Sequence, residues 1–188
     1  MTQTNNKPLH IIGFGGAGCN ISIAIQKIGI EAKYTCISHP ERENLASEIE
    51  FITFIPPGES RLTKTGKFNF IPDMNAPLQI PQTLYELFEP NAQYIIIAGL
   101  GGYTGTYLMQ HFGSWLQEHQ KSFTAINLLP FSFERKGFKT IIQKVQSKFK
   151  NKENFLFIEL DNYREKYGSE PLEALFDQVN QDIYSLIK

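Results

Sequence analysis

Two glycine-rich segments, each placed where a hydrophobic strand gives way to a helical pattern, constrain this chain more than any other feature. The first is GFGGAGCN at 13–20 and the second is GLGGYTGTY at 99–107. A strand-to-helix turn directs unpaired backbone N–H groups and the positive end of the helix at one point, which makes an anion site. In the first segment Gly13, Gly15, Gly16 and Gly18 omit the Cβ atoms that would bar positive φ angles and the close approach of phosphate to backbone. The second segment repeats the arrangement with Gly99, Gly101, Gly102 and Gly105, and adds the hydroxyls of Thr104 and Thr106. Two such loops can surround one polyphosphate, whereas a dinucleotide fold needs only one.

The rest of the chain fits around these turns. Apolar, β-branched or aromatic runs at 9–14, 32–38, 49–56, 93–100, 123–129 and 155–160 alternate with helical patterns at 17–29, 104–119, 138–150 and 171–187. That alternation predicts an α/β fold: a three-layer, Rossmann-like domain with a mainly parallel sheet and helices on both faces. The runs at 94–98 and 155–158 lack polar alternation, the pattern of central strands covered on both sides. Tyr107, Leu108, Phe112, Trp115 and Leu116 share one helical face and predict core packing. Residues 56–81 hold five of the ten prolines and no period, so they read as a long surface excursion. At 188 residues, with 41% hydrophobic and 20% charged side chains, the chain is expected to form a single nucleotide-binding domain over 1–188.

Composition narrows the partners. A formal net charge of −1 gives no global electrostatic case for nucleic acid or an anionic membrane. The longest apolar run, 94–100, has strand length, so no membrane span is expected. Cys19 and Cys36 lack metal-ligand spacing, and the first residues show no signal-peptide core, which points to a cytoplasmic protein. Neither the cysteines nor His10, His39, His111 and His119 form a convincing metal set. From Arg135 to Lys152 there are seven basic side chains and no acid, followed by an acid-rich stretch from 153 to 182. Solvated helix faces explain such a division, and contact with a partner of opposed charge is the functional alternative.

The first loop alone also satisfies the G-x-G-x-x-G fingerprint of NAD-binding folds. An NAD site places Asp or Glu at the end of the second strand to hold the ribose. Here that strand ends Cys36, Ile37, Ser38, His39, Pro40, which argues against the dehydrogenase reading.

With both loops in view, the sequence resembles the tubulin/FtsZ family. GLGGYTGTY is similar to that family's GGGTGTG signature, with Tyr103 and Tyr107 in place of two glycines, and GFGGAGCN is similar to the first phosphate loop of FtsZ, GVGGAGGN. The resemblance implies GTP or GDP as ligand, with Mg as the companion ion. It implies phosphate contacts from Gly15, Gly16, Ala17, Asn20, Gly101, Gly102, Tyr103, Thr104, Gly105 and Thr106. NLLPFSFE at 127–134 resembles the family's TKPFxFE segment, which assigns Glu134 to the ribose. Phe176 and Asn180 reproduce the i, i+4 pair that stacks on guanine and reads its edge, and Asn162, with Asp161 as the alternative, matches the family's guanine-contacting Asn.

Several positions depart from the family. Phe138 stands where FtsZ carries an arginine, with Arg135 and Lys139 as the nearby cations. Ser38, His39 and Pro40 replace the family's NTD, and its third phosphate loop, AGANP, has no clear counterpart in 63–73, where Thr63 to Lys67 is the candidate for γ-phosphate contact. Lys188 falls within the family's long central helix, so the water-activating loop beyond it is not in this sequence, and no catalytic residue is assigned. The expectation is a guanine-nucleotide-binding interaction or regulatory module with little intrinsic hydrolysis. A GTPase completed in trans by a homo-oligomer or an FtsZ-like partner is the enzymatic alternative, and a ligand-free interaction domain of the same ancestry is the third reading. The process that the resemblance implies is cell division.

Overall fold

A computed structural model describes residues 7–39, 49–62, 68–73, 77 and 79–188. Its centre is a six-stranded sheet of β1 (Leu9–Phe14), β2 (Lys33–Ser38), β3 (Glu50–Thr53), β6 (Gln93–Gly99), β7 (Ser122–Leu129) and β8 (Phe155–Glu159). The order is β3-β2-β1-β6-β7-β8, and every pairing in it is parallel. The helices are α1 (Gly15–Ile28), α2 (Gln82–Tyr85), α3 (Tyr103–Glu118), α4 (Lys139–Phe149), α5 (Leu160–Tyr167) and α6 (Leu172–Ile187).

Strand alternation divides the core into two layers. Ile12, Phe14, Tyr94, Ile96 and Ala98 face a layer with Leu108, Phe112 and Leu116 of α3 and Ile142, Val145 and Phe149 of α4. Ile11, Ile95 and Ile97 face the opposite layer, with Cys19, Ile21 and Ile25 of α1 and Leu175, Val179 and Ile183 of α6. Both faces of β1 and β6 are therefore covered, which explains their unbroken apolar runs. The four-residue spacing of Leu175, Val179 and Ile183 puts one stripe of α6 against the sheet. Gly29 closes α1 in the left-handed region at φ 107, its N–H reaching the carbonyls of Ile25 and Gln26, the usual chemistry of a glycine helix stop.

Three expectations need correction. The 56–81 segment, read as a surface excursion without period, holds two strands: β4 (Gly58–Leu62) and β5 (Phe68–Pro72) pair antiparallel as a separate hairpin. Every residue of β4 is exposed, so nothing imposed the apolar alternation by which strands are recognised. Second, β8 is an edge strand rather than a central one. Its residues 156–158 are only half-buried, enough to favour apolar side chains without enclosure. Third, Leu160–Tyr167 forms a helix, α5, that none of the predicted helical patterns covers.

Candidate functional site

The strand order places the site. The chain leaves β1 for β2 on one side, while β6 flanks β1 on the other, so the order reverses between β1 and β6. In parallel sheets the crevice at such a point, beyond the carboxyl ends of the strands, is where ligands bind. Here it is a cleft of about 850 Å³, within the size range of nucleotide and cofactor sites.

Its floor is the two glycine loops. Helices α1 and α3 lie on opposite faces of the sheet, yet their first turns touch over its edge. A Cβ on Gly15 would lie 2.7 Å from the Gly105 nitrogen, and one on Gly105 would lie 2.7 Å from the Gly99 oxygen and 2.9 Å from the Phe14 oxygen. Glycine is the residue that permits this contact. Gly15 at φ 70 and Gly101 at φ 106 are also in the left-handed region. The N-cap positions, Phe14 and Gly102, supply no side-chain hydrogen bond, and neither first turn carries an acid. Both helix ends thus present backbone donors with their positive dipole uncancelled by a carboxylate.

Most of the residues singled out in the sequence line this cleft: Gly15, Gly16, Ala17 and Asn20 from the first loop, and Gly101, Gly102, Tyr103, Thr104 and Gly105 from the second. Glu134 and Phe176 line it as well. Thr106 does not. It is buried at 1% exposure, and its Oγ1 accepts a 2.8 Å hydrogen bond from the Gly101 N–H, so it braces the loop from beneath.

The structure separates the guanine-site candidates. Phe176 is half-buried at the cleft wall, with its ring 6.5 Å from that of Phe131 and tilted 70° to it. Asn180, one turn further along α6, lies instead in an adjoining groove with Lys27, Asp177 and Gln181, and Asn20 borders both spaces. Asn162 is exposed and absent from the lining of both. Asp161 is engaged differently, because its carboxylate accepts the Ser132 N–H at 3.0 and 3.1 Å and the Ser132 hydroxyl at 3.3 Å. That contact ties the start of α5 to the 3-10 turn (Ser132–Gly137) that carries Glu134.

The departures from the family pattern sort themselves as well. Tyr107 is a core residue, 4% exposed, its ring 6.4 Å from that of Phe54, and burial pushes its phenol pKa up. Tyr103 and Phe138 both line the cleft and meet edge to face, with centroids 5.5 Å apart and planes at 86°. Lys139 is exposed at the start of α4. Thr63 to Lys67 and Pro40 lie outside the described residues, as does the side chain of Arg135.

Ser38, His39, Pro56, Leu128, Pro130 and Leu160 also line the wall and were not assigned to it from sequence. The signal that finds several of them is position: Ser38, Leu128 and Leu160 sit at or just beyond the carboxyl ends of β2, β7 and β8, the edge where parallel sheets bind ligands. Among the described residues no group of three or more His, Cys, Asp or Glu side chains could hold a metal. His111 and His119 are engaged elsewhere, His111 with the Tyr85 hydroxyl at 2.6 Å and His119 stacked on Trp115. Among the described residues no helix is long and apolar enough to cross a membrane.

No protein-family model matches the sequence, and no curated protein is similar to it. Solved structures do match the fold. An empty FtsZ dimer from M. jannaschii aligns over 98% of this chain and 54% of its own, with a TM-score of 0.69 and 18% identity. A phage tubulin, PhuZ with GDP, aligns over 95% of this chain and 55% of its own, at 0.61 and 15%. TubZ from Bacillus thuringiensis serovar israelensis, in GDP-form protofilaments, aligns over 96% and 54%, at 0.57 and 14%. The chain spans about half the length of these structures, and its fold is tubulin/FtsZ-like.

Proposed function

We propose that this tubulin/FtsZ-like fold binds a guanine nucleotide, GTP or GDP, in the cleft between β1 and β6. The observation that carries the reading is the contact of two acid-free helix N-termini at one point of the sheet edge, where Gly15 and Gly105 meet. One helix end suffices for a single phosphate; two that converge suit a di- or triphosphate. Glu134 then takes the ribose. Phe176 stacks on the base, and Asn20, which borders both the cleft and the groove holding Asn180, reads the base edge together with Asn180.

The bound nucleotide serves an interaction or regulatory role, with slow hydrolysis by these 188 residues. Glu134 and His39 are the only groups in the described lining that could take a proton from water, and Glu134 is committed to the ribose in this reading. Partners follow from the same logic: a second copy or an FtsZ-like protein, meeting a charge pattern that sets exposed Lys144, Lys148 and Lys152 on one side against Glu173 and Asp177 on α6. An FtsZ dimer and TubZ protofilaments among the structural neighbours favour self-association, and the cellular setting by analogy is cytoplasmic, in cell division.

Isothermal titration with GTP, GDP, ATP and NAD is the direct test. Preference for either guanine nucleotide is the expected result. Preference for ATP or NAD, or no binding by any of the four, overturns the assignment.

A further inference from the structure

Tyr103 begins α3 and Phe138 immediately precedes α4, thirty-five positions apart, yet their rings form one edge-to-face wall at 5.5 Å. Both rings are half-buried, presented to the cleft as well as to the protein. Phe176 lines the same cleft but packs with the layer of α1 and α6, whereas Phe138 packs with the layer of α3 and α4. The cleft thus has an aromatic surface on either side of the sheet edge, and the edge itself carries the joined helix N-termini.

Charge points the same way. Among the described lining residues there is no lysine or arginine, and Glu134 adds a negative charge. The two helix ends together offer about one positive charge, roughly half from each. Esterifying a terminal phosphate removes its second ionisation and puts an organic group where a solvated anion would otherwise meet two aromatic rings. We propose that the cleft takes a dinucleotide: a guanosine against Phe176, a bridging diphosphate at the two helix N-termini, and a second flat ring against Tyr103 and Phe138. The inference rests on the guanine-nucleotide reading and names the ligand class more narrowly.

Calorimetric titration of the full chain with GDP, GTP and diguanosine diphosphate, two guanosines joined through their phosphates, tests it. The dinucleotide is expected to bind about tenfold more tightly than GDP, the size of effect one stacked ring gives. Phe138→Leu, which keeps apolar bulk at the core contact, should bring the ratio of the two affinities to about one, and Phe138→Trp, which keeps a ring, should preserve it. Equal affinities in the unaltered chain, or a ratio that Phe138→Leu leaves in place, overturn the second subsite while the guanine assignment stands. Failure of every guanine compound to bind overturns the guanine reading, and the subsite with it.

Discussion

At the level of single residues, two glycines of the second loop make opposite predictions. An added Cβ at Gly102 meets nothing within 4 Å, and the residue sits at φ −84 and ψ 150, open to any side chain. Gly102→Ala should fold with stability changed by no more than about 0.5 kcal/mol, yet weaken nucleotide binding about tenfold by holding phosphate away from the backbone. Gly105→Ala puts a methyl against the Gly99 and Phe14 carbonyls, and overpacking of that kind costs about 1–3 kcal/mol. Melting temperature and titration of both variants separate the effects: a Gly102→Ala protein that binds normally would show that no ligand approaches that face. These glycines were legible in the sequence because spacing alone marks a strand-to-helix turn. The Tyr103 and Phe138 contact was not, since a pairing across two helix starts leaves no local period.

Among the elements, legibility followed enclosure. The strands β1, β2, β6 and β7 are buried on both faces, and burial imposes a long apolar run that any reading of the chain detects. Strand β4, exposed throughout, makes no comparable demand, and α5 exposes four of its eight residues, which blurs its helical stripe. Strand β1 also carries a buried titratable group far from the cleft. His10, 4% exposed, pairs through Nε2 with the Thr35 hydroxyl at 2.8 Å, and that hydroxyl donates to Glu50 at 3.0 Å. Burial, helped by the charge of Lys33 and opposed by Glu50 and a Leu87 backbone contact, lowers its pKa from 6.5 to about 4. Unfolded, the imidazole gains its proton near 6.5, so between that value and about 4 the unfolded chain binds more protons than the native one. The contribution is complete above that window and is lost as pH falls through it, to a total of about 3 kcal/mol. Urea midpoints measured from pH 7 to pH 4 should drop for the native sequence and drop less steeply for His10→Gln; parallel slopes would remove His10 as the cause.

For the whole molecule, the site is a junction rather than a property of one layer. Its floor joins α1 on one face of the sheet to α3 on the other, and its walls include the ends of β2 and β7 together with α5 and α6. The sequence revealed the loops and the parallel sheet but not this convergence, because strand order is a three-dimensional fact that the order of runs along the chain leaves open. A ligand held by all these elements binds the native state and has no counterpart in the unfolded one. At a hundredfold excess over its Kd it adds about 2.7 kcal/mol of stability. For a chain of this size each kcal/mol raises the melting temperature by about 2–4 °C, so saturating GDP should raise it by about 5–10 °C. Differential scanning fluorimetry with GDP and ATP at matched concentration reads this directly. A comparable rise with ATP would place recognition in the phosphate loops alone and remove Phe176, Asn20 and Asn180 from base selection. A rise confined to GDP, and lost in Phe176→Ala, would tie selection to the wall that α6 contributes.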